Sequence, residues 1–332
     1  MKIKFPDWSQ MDSLYPGAKR LSGSTQLTFL WHGNVYQFPP ELCEPLPLHV
    51  MRVISRWMPP HKASLIVERN AEVHLLTSSE ITDKVIVPAA MLHEQGCRLE
   101  YFDECVTLEQ YVQSHADTTN RMFRICVEFL RRLHEIEFGV RAKTVRQQLE
   151  CAPNLLQEYY IQRLNDIILI LGEQAVCHIH RDKLLSIGDM AADHLEHVHE
   201  AVSADERIRV VHGDYNPSGN LLVTRNRQVL VIDMEQGLLG GDPIADLRSL
   251  RLWDTGPRLK KLLPGKDQKE LRLIYGDLEC VPTLRSSLIR FDRLVSALIF
   301  KLLIEENEGG AVQNRPLAYR PAEEAMCLIL HS

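Results

Sequence analysis

Residues 210–223, VVHGDYNPSGNLLV, carry an apolar run into His212-Gly213-Asp214, reach Asn220 and re-enter an apolar run. A little further on, VLVIDMEQG (229–237) ends another apolar run in Asp233. RIRVV (207–211) and QVLVID (228–233) read as two short strands, with TRNR (224–227) as the turn of a hairpin. Such a hairpin brings two carboxylates and an amide into one small volume. Hard oxygen groups of this kind suit Mg²⁺, which binds through one or two carboxylates plus substrate phosphates. A carboxylate left off the metal can accept a proton from a hydroxyl. Phosphoryl transfer needs that set: an Asp near the attacking hydroxyl, an Asn and an Asp on metal, and little covalent chemistry from the protein.

The elements that must position these residues divide the chain in two. Before about residue 105, short β-like runs alternate with turn signals: QLTFLWHGNVYQF holds a Gly33-Asn34 turn, and KVIVPAAML and CRLEYF are separated by HEQG. After it the pattern is helical. NRMFRICVEFLRRLHEI sets Met122, Ile125, Phe129, Leu130, Leu133 and Ile136 on one stripe, a core face. NLLQEYYIQRLNDIILIL, IGDMAADHLEHVHEAV and RSSLIRFDRLVSALIFKLLIEE read as further helices. We expect a small lobe over 1–103 and a larger, mainly helical lobe over 104–332, with a ligand cleft between them.

Bulk composition fits a globular chain of 332 residues, 45% hydrophobic and 25% charged. A net charge of −6 offers no electrostatic case for nucleic acid or an anionic membrane. MKIKFPDWSQMDSLYPG has no signal-peptide core, and no stretch reaches the ~18 apolar residues of a membrane span. Eight scattered cysteines without a C-x-x-C pair read as reduced thiols, so a cytoplasmic protein, monomer or homodimer, is expected.

HGDYNPSGNLLV…VLVIDMEQGLLGGDPIADL resembles the catalytic core of the aminoglycoside phosphotransferase and choline kinase-like family, and FLRRLHEI and CRLEYFDECVTLEQYV resemble its Leu-His helix end and its interlobe hinge. The resemblance implies an α+β, bilobal, protein-kinase-like fold and ATP- and Mg²⁺-dependent phosphorylation of a small-molecule hydroxyl: an antibiotic, a sugar, a choline-like molecule or an amino alcohol. It implies that Asp214 orients or deprotonates the acceptor and that Asn220 and Asp233 hold Mg²⁺. His212 would support the loop, Asp242 and Asp246 would be structural, and the backbone of Glu100 to Phe102 would lie beside adenine.

The pattern departs from the family in two places. Kinase loops space Asp and Asn as D-x-x-x-x-N, whereas Asn220 lies six positions after Asp214; a bulge at Gly219 would absorb the extra residue. The small lobe offers no clear strand lysine. PLHVMRVISRW can be a strand that puts Arg52 in the lysine's place, or a helix with Leu48, Met51, Ile54 and Met58 on one stripe. SLIVERNAEVHLL can be a helix carrying Glu68 or Glu72, or a hairpin turning at Arg69-Asn70. LSGSTQL (21–27), with Ser24, stands where a phosphate-covering loop belongs. These gaps favour a rival, a pseudokinase acting as scaffold or assembly protein; the intact Asp214, Asn220 and Asp233 oppose it. His178, His180, His194, His197 and His199 lack the pattern that would complete a metal site. Lys260, Lys261, Lys266 and Lys269 read as a solvated face, and Trp253 and Asp254 as possible substrate contacts.

Overall fold

In the first hundred residues the period-two pattern becomes an antiparallel sheet. The computed structural model describes residues 3–4, 6–21, 26–42, 44–77, 84–151, 153–172, 181–250, 283–307 and 322–331; Ser24, His178, His180, Trp253, Asp254 and the four lysines from 260 to 269 lie outside them. The first lobe holds β1 (Ile3–Lys4), α1 (Trp8–Leu14), β2 (Lys19–Arg20), β3 (Leu27–Trp31), β4 (Asn34–Phe38), β5 (Glu41–Leu42), α2 (Leu48–Ile54), α3 (Lys62–Thr77), β6 (Val85–Ile86), β7 (Ala90–His93) and β8 (Gly96–Glu100). Five strands form one sheet in the order β2-β3-β4-β8-β7.

The β3–β4 turn falls one residue earlier than expected. Trp31 pairs with Asn34, and His32 and Gly33 occupy the two turn positions with φ of 46° and 71°, the double positive φ of a twisted two-residue hairpin. Alternation then sorts the side chains. Phe29, Tyr36 and Phe38 pack on one face with Tyr15 and α1, and the Phe29 and Tyr36 rings stack at 5.4 Å. Thr28, Val35 and Gln37 turn to the cleft.

Both open segments of the small lobe are helical. In α2, Val50, Met51, Val53 and Ile54 are buried, and the helix packs on two helices of the second lobe, Leu156–Gly172 and Thr283–Asn307. In α3, Arg69 and Asn70 sit mid-helix, where no hairpin turns.

The second lobe comprises β9 (Val106–Thr107), α4 (Leu108–Ser114), α5 (Thr119–Leu133), α6 (Val140–Gln148), α7 (Leu156–Gly172), α8 (Arg181–Glu196), α9 (Val198–Ala201), β10 (Leu221–Val223), β11 (Val229–Val231), α10 (Pro243–Ser249), α11 (Thr283–Asn307) and α12 (Ala322–Leu330). Thr107 starts α4 with a capping box: its hydroxyl accepts from Gln110 N, and the Gln110 side chain accepts from Thr107 N. The α5 stripe is buried as its spacing predicts, apart from Ile136 beyond the helix end, which is half-buried. RIRVV is not a strand: Arg207 and Arg209 make single bridges to Leu155 and Gly241. The hairpin is β10–β11, pairing Leu221 with Val231, and it extends to β9 and β6 in a four-stranded sheet, β6-β11-β10-β9. Among the described residues no helix is long and apolar enough to cross a membrane.

Candidate active site

Val210 and Val211 are buried and carry the chain into His212, which is sealed from solvent. Asp246, in the first turn of α10, pins the backbone at this point. Its Oδ2 accepts from His212 N at 2.7 Å and from His134 Nε2 at 3.0 Å, and its Oδ1 accepts from Gly213 N at 2.8 Å. Burial works against charge on Asp246, but the His134 bond and the two nearby imidazoles hold the carboxyl below its usual range. Three charge-assisted bonds in a dry site make a stiff anchor. Asp246, expected from the sequence to be structural, clamps the His212-Gly213 turn.

Gly213 has φ +89°, and a Cβ there would lie 2.6 Å from the carbonyl carbon of Gln236. A Cβ on Gly237 would lie 1.8 Å from Val211 O. The loops carrying Asp214 and Asp233 therefore touch backbone to backbone through two glycines. His212 bridges them. Burial lowers its pKa, so the neutral ring donates from Nε2 to Ile232 O at 2.9 Å and accepts from Asp214 N at Nδ1, 3.2 Å away. Buried arginines tie down the far side of the Asp233 loop: Arg69 donates to the carbonyls of Gly237 and Leu238, and Arg146 to that of Leu239.

The extra residue before Asn220 is absorbed in a turn, not a bulge at a left-handed Gly219. Asn220 N and Leu221 N both donate to Asn216 O, at 3.2 Å each, and Gly219 is not among the glycines with positive φ. Asn220 still faces inward. Its Nδ2 donates to Asp214 O at 2.9 Å and to Asp214 Oδ2 at 3.1 Å, which leaves Oδ1 to face a cation. The other oxygen of Asp214, Oδ1, accepts from Arg293 of α11, which also donates to Ser249 Oγ at 2.9 Å.

Asp233 sits in the left-handed region, φ 64° and ψ 45°, where Asp is tolerated but uncommon. It opens onto the cleft while protein crowds its other sides. That desolvation, with Glu235 two residues on, pushes its carboxyl well above the usual range. Glu235 is buried, accepts from Gln26 Nε2 and pairs with Lys62 at 2.8 Å. The cleft, about 490 Å³, runs from this cluster to an apolar end lined by Leu21, Val35, Leu99, Leu222 and Leu230, within the usual range for small-ligand sites.

Of the residues singled out from the sequence, Asn220, Asp233, Glu100 and Phe102 line this cleft, and Asp214 lies behind Asn220. Ser24 is outside the described residues. Arg52 is elsewhere. It sits on a helix, not a strand, and its Nη1 bonds Asp166 of α7 at 2.9 Å, away from the cleft. Glu68 and Glu72 also face away: Glu68 accepts from Arg141 N, and Glu72 pairs with Arg69. Sequence reasoning missed Lys62, Glu235 and Arg293. Lys62 and Arg293 stand in ordinary helical patterns, and only Glu235, two residues past Asp233, had a positional signal. Among the described residues no three His, Cys, Asp or Glu side chains converge on a metal position. Asp233 and Asn220, which line one cleft, carry hard oxygen donors of the kind Mg²⁺ takes and would hold that ion with its remaining positions left to phosphate and water.

Known proteins bear on this geometry at two levels. A search of curated proteins finds no match. Among solved structures, ethanolamine kinase from Plasmodium vivax superposes with a TM-score of 0.58 at 12% identity, covering 95% of this chain and 82% of that one. The aminoglycoside phosphotransferase APH(2'')-IIa, solved with gentamicin, gives 0.53 at 18% identity, covering 98% and 93%; its ternary complex with streptomycin and ATP gives 0.53 at 16%, covering 98% and 95%. At such identities these likenesses establish the shared kinase-like fold. The family assignment comes from the sequence: residues 52–278 match the model of the phosphotransferase enzyme family. Because that match spans most of the chain, hinge and both acidic loops included, the protein belongs to the phosphotransferase enzyme family and is an enzyme of the small-molecule kinase type.

Proposed function

We propose that the protein transfers the terminal phosphoryl group of ATP, in a Mg²⁺-dependent reaction, to a hydroxyl of a small molecule. The observation that carries this reading is the joint placement of Asp214, Asn220 and Asp233 on loops tied together by His212, with Asn220 and Asp233 facing a cleft with an apolar far end and Asp214 bonded behind Asn220. In it the adenine lies against Leu222 and Leu230, beside the backbone of Glu100 to Phe102, and the phosphates run toward Asp233. Bound Mg²⁺ would offset phosphate charge between Asn220 Oδ1 and the Asp233 carboxylate. Asp214 receives the acceptor: one oxygen is held by Asn220 and the other by Arg293, so the carboxylate is oriented before a hydroxyl arrives. Most of the rate gain is then positioning, with a proton accepted at Asp214 as the hydroxyl oxygen attacks. The gentamicin and streptomycin complexes and the ethanolamine kinase make amino alcohols and aminoglycosides the first acceptors to try.

Calorimetry of Mg·ATP with the wild type and Asp233→Ala tests the reading. We expect binding by the wild type, lost in the variant. A folded wild type that binds no Mg·ATP would overturn it and return the scaffold reading.

A further inference from the structure

The strand β4, which lines the cleft, carries no lysine. On β4, Val35 and Gln37 both face the cleft, and Gln37 pairs with Thr28 of β3 and Cys97 of β8. Its Oε1 accepts only a weak bond, 3.6 Å, from Cys97 Sγ. A triphosphate brings several negative charges into the cleft, and a neutral amide offsets none of them.

Among the described residues that line this cleft there are two cations, Arg56 and Lys62. Arg56 is committed elsewhere: its Nη2 lies 2.5 Å from Asp292 Oδ2 and reaches Tyr159 OH, and its guanidinium lies over the Trp57 ring. Lys62 is different. Its side chain is 2% exposed, and Nζ lies 2.8 Å from Glu235 Oε2, yet Nζ makes no hydrogen bond of acceptable angle among the described residues. A buried ammonium with unused donors is costly unless something completes its shell. Its position is informative, because Glu235 follows Asp233 by two residues and Gln26, which also lines the cleft, donates to the Glu235 carboxylate.

We infer that Lys62, at the start of α3, supplies the ammonium that contacts the donor phosphates, with Glu235 as the anion that holds it. The pair reverses the arrangement expected of this lobe: the cation has moved from strand to helix, and its anion from helix to the loop of Asp233. Glu68 and Glu72, which face away from the cleft, pair instead with Arg141 and with the buried Arg69. This inference rests on the phosphotransferase reading of the same cleft.

The test compares ligands with and without phosphates. Calorimetry on wild type and Lys62→Met should show Mg·ATP affinity falling by about 10- to 100-fold, as expected for losing a charge-assisted contact, with adenosine affinity unchanged. Adding Gln37→Lys to Lys62→Met should restore much of the ATP affinity, because the ammonium returns from the strand side. Should Lys62→Met fold poorly, Lys62→Met/Glu235→Met removes both buried charges while keeping apolar volume and carries the same comparison. Unchanged ATP affinity, or equal losses for ATP and adenosine, would overturn the inference and leave Lys62 a structural ion-pair residue. A wild type that binds adenosine and Mg·ATP while the variants behave in this second way spares the phosphotransferase reading; a wild type that binds neither sinks both.

Discussion

On the second-lobe side of the cleft, the described backbone segments beside Asp214 are tied by buried polar or ionic groups: Asp246 to the 212–213 turn, His212 to Ile232, Arg69 and Arg146 to the carbonyls of 237–239. On the first-lobe side, the strands are held from behind by an aromatic cluster of Tyr15, Phe29, Tyr36 and Phe38, apart from the main core. Directional bonds fix atoms to a few tenths of an ångström, as proton acceptance and cation binding demand. Apolar packing fixes a surface but tolerates sliding, which would suit a lobe that accepts and releases a nucleotide as the proposed function requires.

The most severe way to probe this difference is to remove chemistry while leaving both walls intact. Asp214→Asn should cut turnover by about 10²- to 10⁴-fold, with Mg·ATP affinity retained by calorimetry. Simultaneous loss of nucleotide binding would show that Asp214 holds the cleft together. Phe29→Ala should cost about 3–5 kcal/mol of local stability, because this ring has no exposed area and stacks on two others. Hydrogen exchange should speed in β3 and β4 and stay slow around 210–216, and Mg·ATP affinity should fall.

Asp246→Asn attacks the opposite wall at smaller cost, about 1–3 kcal/mol for a buried donor left without its acceptor. An amide nitrogen set against His212 N or Gly213 N cannot accept, so the turn shifts and turnover should fall further than nucleotide affinity. If Phe29→Ala and Asp246→Asn instead lower affinity and turnover in the same proportion, the walls form one cooperative unit and the contrast between them fails.

This division also explains what could be read in advance. The second-lobe site is built from two nearby stretches of chain, 210–237 and 242–246, so its residues could be singled out in the sequence, with the roles of Asp214, Asn220 and Asp233 implied by the family resemblance. The first lobe was ambiguous for a physical reason. Residues 48–77 are apolar on several faces, because α2 packs on α7 and α11 while α3 lies between the sheet and α5, and two-sided burial erases the period that separates helix from strand. The placement of Arg52 followed from that ambiguity, and Lys62 was invisible because its partner is 173 positions away in sequence, Glu235. A separation of 79 positions likewise hid Arg293, which reaches Asp214 from α11.

The mildest expected effect is a pH dependence, and it belongs to one wall only. Burial keeps folded His212 neutral despite the nearby Asp246 and Asp214 carboxylates. Protonating Nδ1 would turn an acceptor into a donor facing Asp214 N–H. An unfolded histidine takes up a proton near pH 6.5, so below that pH the unfolded chain binds more protons than the folded one. Stability from this group is therefore complete above about 6.5 and declines as the pH falls, by up to about 1.4 kcal/mol per unit. Asp246, held below the usual range by His134 and His212 despite its burial, adds a second decline only near the ordinary Asp range, so the two separate on the pH axis. Because the raised Asp233 carboxyl acts in the opposite sense in both proteins, the test is the difference: between pH 8 and 5 the urea midpoint should lose more per unit of pH for the wild type than for His212→Gln, by one proton. Equal slopes would mean that His212 is protonated within the fold, and the Asp214 loop would then need a different account of how its backbone is held.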